Sequence, residues 1–133
     1  MELALKTQKG KIYDLTDKIS GKLPKNLESG LVNVFAPHAT GILFLGENEP
    51  GINADYQKLL GRLAPEGPEG EWQHDRIDSN AHAHLRSALM GASLTIPVRD
   101  GRLQLGTWQR ILFMEADGDR ERRFILTFVK GEQ

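Results

Sequence analysis

From residue 93 onward the chain repeats one pattern, a short apolar run followed by a tight turn. Ser93–Val98, Leu103–Leu105, Ile111–Glu115 and Phe124–Val129 are dominated by leucine, β-branched and aromatic residues. Asp100-Gly101 and Asp117-Gly118-Asp119 separate two pairs of them. Runs of this length bounded by Gly and Asp are strands. Turns this short join antiparallel neighbours, because a parallel return needs a long crossover. The Phe124–Val129 run is apolar on both faces, which predicts an interior strand.

The first ninety residues add four strands and two main helices. Glu2–Gln8 alternates Leu3, Leu5 and Thr7 against polar positions, as a half-buried strand does, and Gly10 would turn it into a hairpin partner at Lys11–Leu15. Thr16 is placed to cap a short helix running to Leu23, stopped by Pro24. Leu31–Phe35 and Ile42–Leu45 read as buried strands joined by Ala36-Pro37-His38-Ala39-Thr40-Gly41. Ile52, Tyr56, Leu59, Leu60 and Leu63 form one helical stripe, with Asn53 as its cap and Pro65 as its end. After a Pro/Gly loop at 65–70, Ser79 or Asn80 opens a second helix, with Ala81, Leu85, Ala88 and Leu89 inward and Gly91 beyond its end. Strands, then helices, then strands predict an α+β fold with a mostly antiparallel sheet and helices packed on it.

A length of 133 residues suits a single domain spanning 1–133. With glycine counted and tyrosine left out, about 48% of the chain is apolar, the ordinary globular value. A net charge of −1 argues against nucleic acid as a partner, since that needs a strongly basic face. There is no cysteine, which excludes disulfides, thiolate nucleophiles and cysteine-type zinc sites. No apolar stretch approaches the ~20 residues of a membrane span or forms a signal segment, so the expected address is cytoplasmic, with no membrane partner.

Four histidines carry the chemical interest: His38, His74, His82 and His84. Imidazole binds borderline divalent metals, and three imidazoles leave a position for water or substrate. A single histidine is more often a surface or hydrogen-bonded residue, but His38 joins two buried strands and His74 ends a loop entering a helix. On a helix His82 and His84 point ~200° apart, so one metal cannot take both. The sequence leaves that choice open.

Other polar residues have plain readings beside functional ones. Glu47-Asn48 follows a strand end, Glu115 ends a strand as an ordinary salt-bridge partner would, and Trp108 suits core or interface packing. Arg120, Arg122 and Arg123 fit a phosphate grip or a solvated charged hairpin equally well. Alternation from Leu103 and Leu105 puts Thr107 on the inward side, where its hydroxyl would need a partner. No Walker loop, dinucleotide fingerprint, nucleophile elbow or H-E-x-x-H is present.

The stretch Ser93-Leu-Thr-Ile-Pro-Val-Arg-Asp-Gly101-Arg-Leu-Gln-Leu-Gly106-Thr107-Trp108-Gln109-Arg-Ile111 closely resembles the signature of the YjbQ-like family. Its members often carry the label of secondary thiamine-phosphate synthases. Pro-His38-Ala-Thr40-Gly, Glu47-Asn48, Trp72-Gln-His74-Asp75 and Ala83-His84-Leu85 resemble further family motifs, so the likeness spans roughly residues 30–130. Gly46 departs from the family's Asn-Glu-Asn, and Ala39 from a common Thr. The resemblance implies an α+β fold with a β-sandwich-like core, a homotrimer, and a metal held at His38, His74 and His84. It thereby favours His84 over His82.

Thiamine-phosphate synthesis normally uses magnesium, which prefers oxygen ligands, whereas three histidines suit zinc or a similar divalent metal. The expectation is therefore a metal-dependent enzyme, a transferase or hydrolase, acting on a small phosphorylated or heterocyclic substrate, with the thiamine-phosphate activity secondary. Glu47 or Asp75 would move a proton, and Asn48, Thr107 and Gln109 would orient substrate. The alternative is a non-catalytic protein that holds a metal or metabolite.

Overall fold

The computed structural model describes residues 1–132. It has eight strands, β1 (Glu2–Thr7), β2 (Ile12–Asp14), β3 (Ser29–Phe35), β4 (Gly41–Gly46), β5 (Ser93–Arg99), β6 (Arg102–Leu103), β7 (Arg110–Glu115) and β8 (Arg120–Lys130). Three α-helices accompany them, α1 (Thr16–Ser20), α2 (Pro50–Leu63) and α3 (Ala81–Met90), with short single-turn helices at Gly67–Gly70 and Gln73–Arg76. A five-stranded sheet runs β1-β8-β3-β5-β6 and a three-stranded sheet runs β2-β7-β4, with every pairing antiparallel.

The two sheets pack face to face, as in a sandwich. Val32, Val34, Ile96, Val98, Phe124 and Leu126 of the large sheet meet Leu43, Ile111 and Phe113 of the small one in a single core that includes Leu15 and Ile19. The other face of the small sheet carries Ile42, Phe44, Leu112 and Met114 against Leu60 of α2. β4 and β7 are thus covered on both faces, which explains their unbroken apolar runs. The α+β, mostly antiparallel sandwich-like fold is as expected, and β8 lies between β1 and β3.

Several local expectations are corrected. β2 pairs with β7 in the other sheet and does not form a hairpin with β1. Between them Gly10, at a φ of +80°, turns the chain across, and its amide donates to the Glu115 carbonyl. Helix α1 ends at Ser20, and Thr16 caps nothing: its hydroxyl accepts from the Ile111 amide, tying α1 to β7.

Helix α2 starts at Pro50 and is capped by Glu49, whose carboxylate accepts from Gly51 (2.6 Å) and Ile52 (2.9 Å), so Asn53 lies inside the helix. Leu59 and Leu63 of its stripe are exposed; only Leu60 is fully buried.

Helix α3 turns its small residues inward. Ala81, His82, Ala83 and Ser87 are buried, whereas Leu85, Ala88 and Leu89 are exposed. The Ser87 hydroxyl donates to the Gly41 carbonyl of β4 at 2.7 Å, and small side chains permit that close approach. Gly41 is itself required there, because a Cβ would lie 2.2 Å from the Phe113 ring.

The Leu103–Leu105 strand shrinks to Arg102–Leu103, and Gly106–Gln109 is a turn. It is closed by the Gln109 amide on the Gly106 carbonyl and the Gly106 amide on the Gln109 side chain. Strand alternation therefore stops before Thr107, which is exposed and not an inward hydroxyl.

Candidate functional site

The β4–β7 pair has two ends, and the predicted site residues divide between them. Gly41 pairs with Glu115 at one end and Gly46 with Arg110 at the other, five residues or about 17 Å apart. His38, His74 and His84 lie at the Gly41–Glu115 end, with Asp75. Glu47, Asn48, Thr107 and Gln109 lie at the Gly46–Arg110 end.

The Gly41–Glu115 end is built around a buried ion pair. Glu115, with no exposed surface, accepts from Arg122 Nε and Nη2, both at 2.6 Å, and from the Thr7 hydroxyl at 2.6 Å. Arg122 also reaches the Thr40 hydroxyl at 3.0 Å. Burial alone would raise the Glu115 pKa, but Arg122, Thr7 and the Asp117 amide outweigh it and hold the carboxyl below its usual range. The Asp117 side chain continues outward to Arg120 and to Asn80, which is only 8% exposed. Asn80 in turn contacts His74 Nε2 through Oδ1 at 2.9 Å.

His74 and His84 form an edge-to-face pair with ring centroids 4.9 Å apart. With Trp72, Gln73, Ala81 and Leu85 they line a hollow of about 370 Å³. A second hollow of about 510 Å³ runs from His84 to Ala39, the neighbour of His38. The His38 ring packs edge-on to Phe124, with Nε2 held 2.8 Å from the Arg123 carbonyl oxygen. Burial and the nearby Arg122 and Arg123 charges lower its pKa.

The structure thus joins His74 with His84 and places His38 beyond a hollow from them. Among the described residues no three His, Cys, Asp or Glu side chains gather closely enough to hold a metal within one chain. Two adjacent imidazoles, one already hydrogen-bonded through its other nitrogen, fit a borderline metal as part of its ligand set. Asn80 stands at the N-cap of α3, one of the two positions expected, but makes no side-chain cap bond; the Asp75 carboxylate instead accepts from the Ala81 amide at 3.0 Å. His82 points away from His84 into the interior, 1% exposed, and neither ring nitrogen makes a hydrogen bond.

The Gly46–Arg110 end is more open. Asp14 accepts from Arg110 Nε at 2.7 Å and from Asn48 at 3.4 Å, and Asn53 donates to Asn48 at 2.8 Å. The Glu47 carbonyl accepts from the Tyr56 hydroxyl. Gly46 leaves the space that Tyr56 fills, since a Cβ there would stand 2.6 Å from the tyrosine oxygen. Thr107 and Trp108 are exposed, Trp108 by 71%. Asn80, Asp117 and the Glu115–Arg122 pair escaped the sequence reading as site support. The Glu115–Arg122 pair had one visible signal, charged residues inside otherwise apolar strand patterns, whereas Asn80 and Asp117 had none.

The arrangement matches a known family along its whole length. The family model described as UPF0047 protein YjbQ-like matches residues 1–131. The chain belongs to the UPF0047, YjbQ-like family. A UPF0047 protein of Archaeoglobus fulgidus is 46% identical over 127 residues, which cover 95% of this chain and 98% of the relative. The UPF0047 protein YjbQ of Salmonella typhimurium is 36% identical over 90% of this chain and 85% of its own. A crystal structure of a hypothetical protein from Aeropyrum pernix superposes with a TM-score of 0.89 at 40% identity, covering 98% of both chains. A YbjQ-like protein of unknown function from Sulfolobus solfataricus gives 0.89 at 32% identity, over 96% and 94%. No helix among the described residues is long and apolar enough to cross a membrane.

Proposed function

We propose that this protein is a metal-dependent enzyme acting on a small phosphorylated or heterocyclic substrate. The observation that carries the reading is the His74–His84 pair, 4.9 Å apart beside an open hollow. These two imidazoles would hold a borderline divalent metal such as zinc, with His38 as the third protein ligand from across the neighbouring hollow. Such a metal supplies Lewis-acid chemistry, polarising a carbonyl or phosphoryl oxygen or acidifying water. Trp72 and Leu85 would pack against the flat or apolar part of the substrate. A thiamine-phosphate synthase activity, with its preference for magnesium, would be secondary to this chemistry.

The two polar ends of β4–β7 are too far apart to serve one small molecule within a single chain. In the proposed homotrimer the Gly46–Arg110 end of a neighbouring copy would complete the site, bringing Glu47 as proton carrier and Asn48, Thr107 and Gln109 as substrate contacts. Exposed apolar side chains support such assembly at both ends: Leu85, Leu89 and Met90 beside the histidines, and Trp108 at the far end. A non-catalytic metal or metabolite holder is the second reading. It is favoured by Asp75, whose carboxylate is occupied at the start of α3, leaving Glu47 as the remaining candidate for proton transfer.

Turnover of zinc- and magnesium-loaded protein on phosphorylated thiamine precursors and simple phosphate and carboxylate esters tests the enzyme reading. Zinc-dependent turnover lost in both His84→Ala and Glu47→Gln is the expected result. Stoichiometric metal with no turnover on any substrate would favour the holder. Light scattering should report a particle three times the 14.8 kDa chain, and a stable monomer would contradict the shared site.

A further inference from the structure

The contacts around Asn80 can be ordered by which groups are able only to accept. Asp117 is one of them. Burial would raise its pKa, but bonds from Asn80, Arg120 and Thr40 hold the carboxyl below its ordinary range, so it stays ionised near neutrality. An ionised carboxylate has no proton to give. Its Oδ2 lies 3.0 Å from one end of the Asn80 amide, which must therefore be the NH2 end. Turning the amide over would set a carbonyl oxygen against a carboxylate oxygen in a place with little water, since Asn80 is 8% exposed.

The other end of the amide, Oδ1, then faces His74 Nε2 at 2.9 Å. A carbonyl oxygen only accepts, so Nε2 carries the hydrogen. A neutral imidazole holds one ring proton, which leaves Nδ1 bare. Asp117 cannot easily swing away, because its backbone amide donates to Glu115 Oε2 at 3.1 Å and Arg120 grips Asp117 Oδ2, the oxygen that faces Asn80, at 3.0 Å. The constraint on the ring thus begins at the buried Glu115–Arg122 pair.

We propose that Asn80 and Asp117 are positioning residues that fix His74 in its Nε2–H tautomer, so that Nδ1 is the nitrogen His74 offers to the site. What Nδ1 binds rests on the metal reading above; the tautomer itself rests on the geometry of Asn80 and Asp117. Neither residue would touch the metal or the substrate.

The test is long-range proton–nitrogen correlation on metal-free protein, at a pH where the rings are neutral, with His74 assigned by its loss in His74→Gln. The wild type should show His74 almost wholly as the Nε2–H form. In Asp117→Asn the acceptor-only partner is gone, so the Asn80 amide can turn and His74 should become a mixture of tautomers. Adding Asn80→Asp to that variant restores an acceptor facing His74 and should return the ring to Nε2–H. A wild-type spectrum dominated by Nδ1–H, or one unchanged by Asp117→Asn in a folded protein, would overturn the proposal. Should Asp117→Asn not fold, Asn80→Ala takes its place: with the acceptor removed His74 should again become a mixture of tautomers, and a ring still wholly Nε2–H would overturn the proposal. Metal content is read on separate samples. An Nε2–H spectrum in a protein that binds no metal would sink the metal reading and leave the tautomer assignment standing.

Discussion

The two ends of the β4–β7 pair spend their polar residues differently. At the Gly41–Glu115 end the charges are sealed: Glu115 and Arg122 are buried, share two short hydrogen bonds, and pass their order through Asp117 and Asn80 to His74. At the Gly46–Arg110 end Asp14 and Arg110 are partly open to water, and Thr107 and Trp108 stand exposed on a turn. The sealed end can orient an imidazole in advance, because Glu115, Arg122 and Asn80 are buried and little water competes for their hydrogen bonds. The open end makes little internal demand on the Glu47 and Thr107 side chains, which leaves them available for contacts outside their own chain, while Asn48 is held between Asp14 and Asn53. Order at one end and availability at the other is what a site shared between copies would need.

Substitution should separate the ends by magnitude. Glu115→Gln leaves the Arg122 charge buried without its partner and should cost ~3–5 kcal/mol in denaturant unfolding. The same pair should govern acid stability. The folded Glu115 pKa is depressed, so its contribution is fully present above the ordinary glutamate value of about 4.3 and is lost as the pH falls through the lower folded value. Unfolding measured from pH 6 to pH 3 should show this loss, and Glu115→Gln should flatten it. If Glu115→Gln unfolds no more easily than a surface variant, the sealed end is not sealed.

His82 sharpens the contrast within α3. It is as buried as Glu115 but makes no hydrogen bond; the Ala116 backbone is near, yet no bond of normal geometry closes. Its nearest charged neighbour is Glu66, whose carboxylate lies 3.6 Å from Nε2, beyond hydrogen-bond reach. His82→Leu removes two ring nitrogens without hydrogen bonds at similar volume and should raise stability by ~1–2 kcal/mol at pH 7. A loss of stability instead would mean that the imidazole has a partner in solution.

At the open end Asp14→Asn weakens a half-exposed contact with Arg110 and should cost only about 1 kcal/mol. Thr107→Val, on an exposed turn, should stay within ~0.5 kcal/mol of wild type while lowering turnover or ligand binding in the assembled protein. Equal losses of stability in Glu115→Gln and Thr107→Val would erase the comparison.

Much of this was legible in the chain and some was not, for identifiable reasons. Strands β3, β4, β5, β7 and β8 announce themselves as apolar runs between Gly, Pro and Asp, because burial on one or both faces is written into each residue. Which sheet a strand joins is not so written, and β2 left β1 for β7. The inward face of α3 misled because hydrophobicity predicts Leu85 and Leu89, while close packing on Gly41 demands Ala83 and Ser87. Thr107 was placed inward by carrying a strand's alternation past Leu105 into a turn. Spacing on a helix separated His82 from His84, and the fold then set His84 beside His74. The link from Asp117 to Asn80 crosses 37 positions and leaves no local trace.

Metal analysis of tag-free protein tests most directly whether His74 and His84 hold a metal. The wild type should carry close to one borderline divalent ion per chain. His84→Ala should carry almost none, because losing one of few ligands opens the shell, and His82→Leu should keep the full amount. A wild type with no stoichiometric metal, or metal kept by His84→Ala and lost by His82→Leu, would contradict the account.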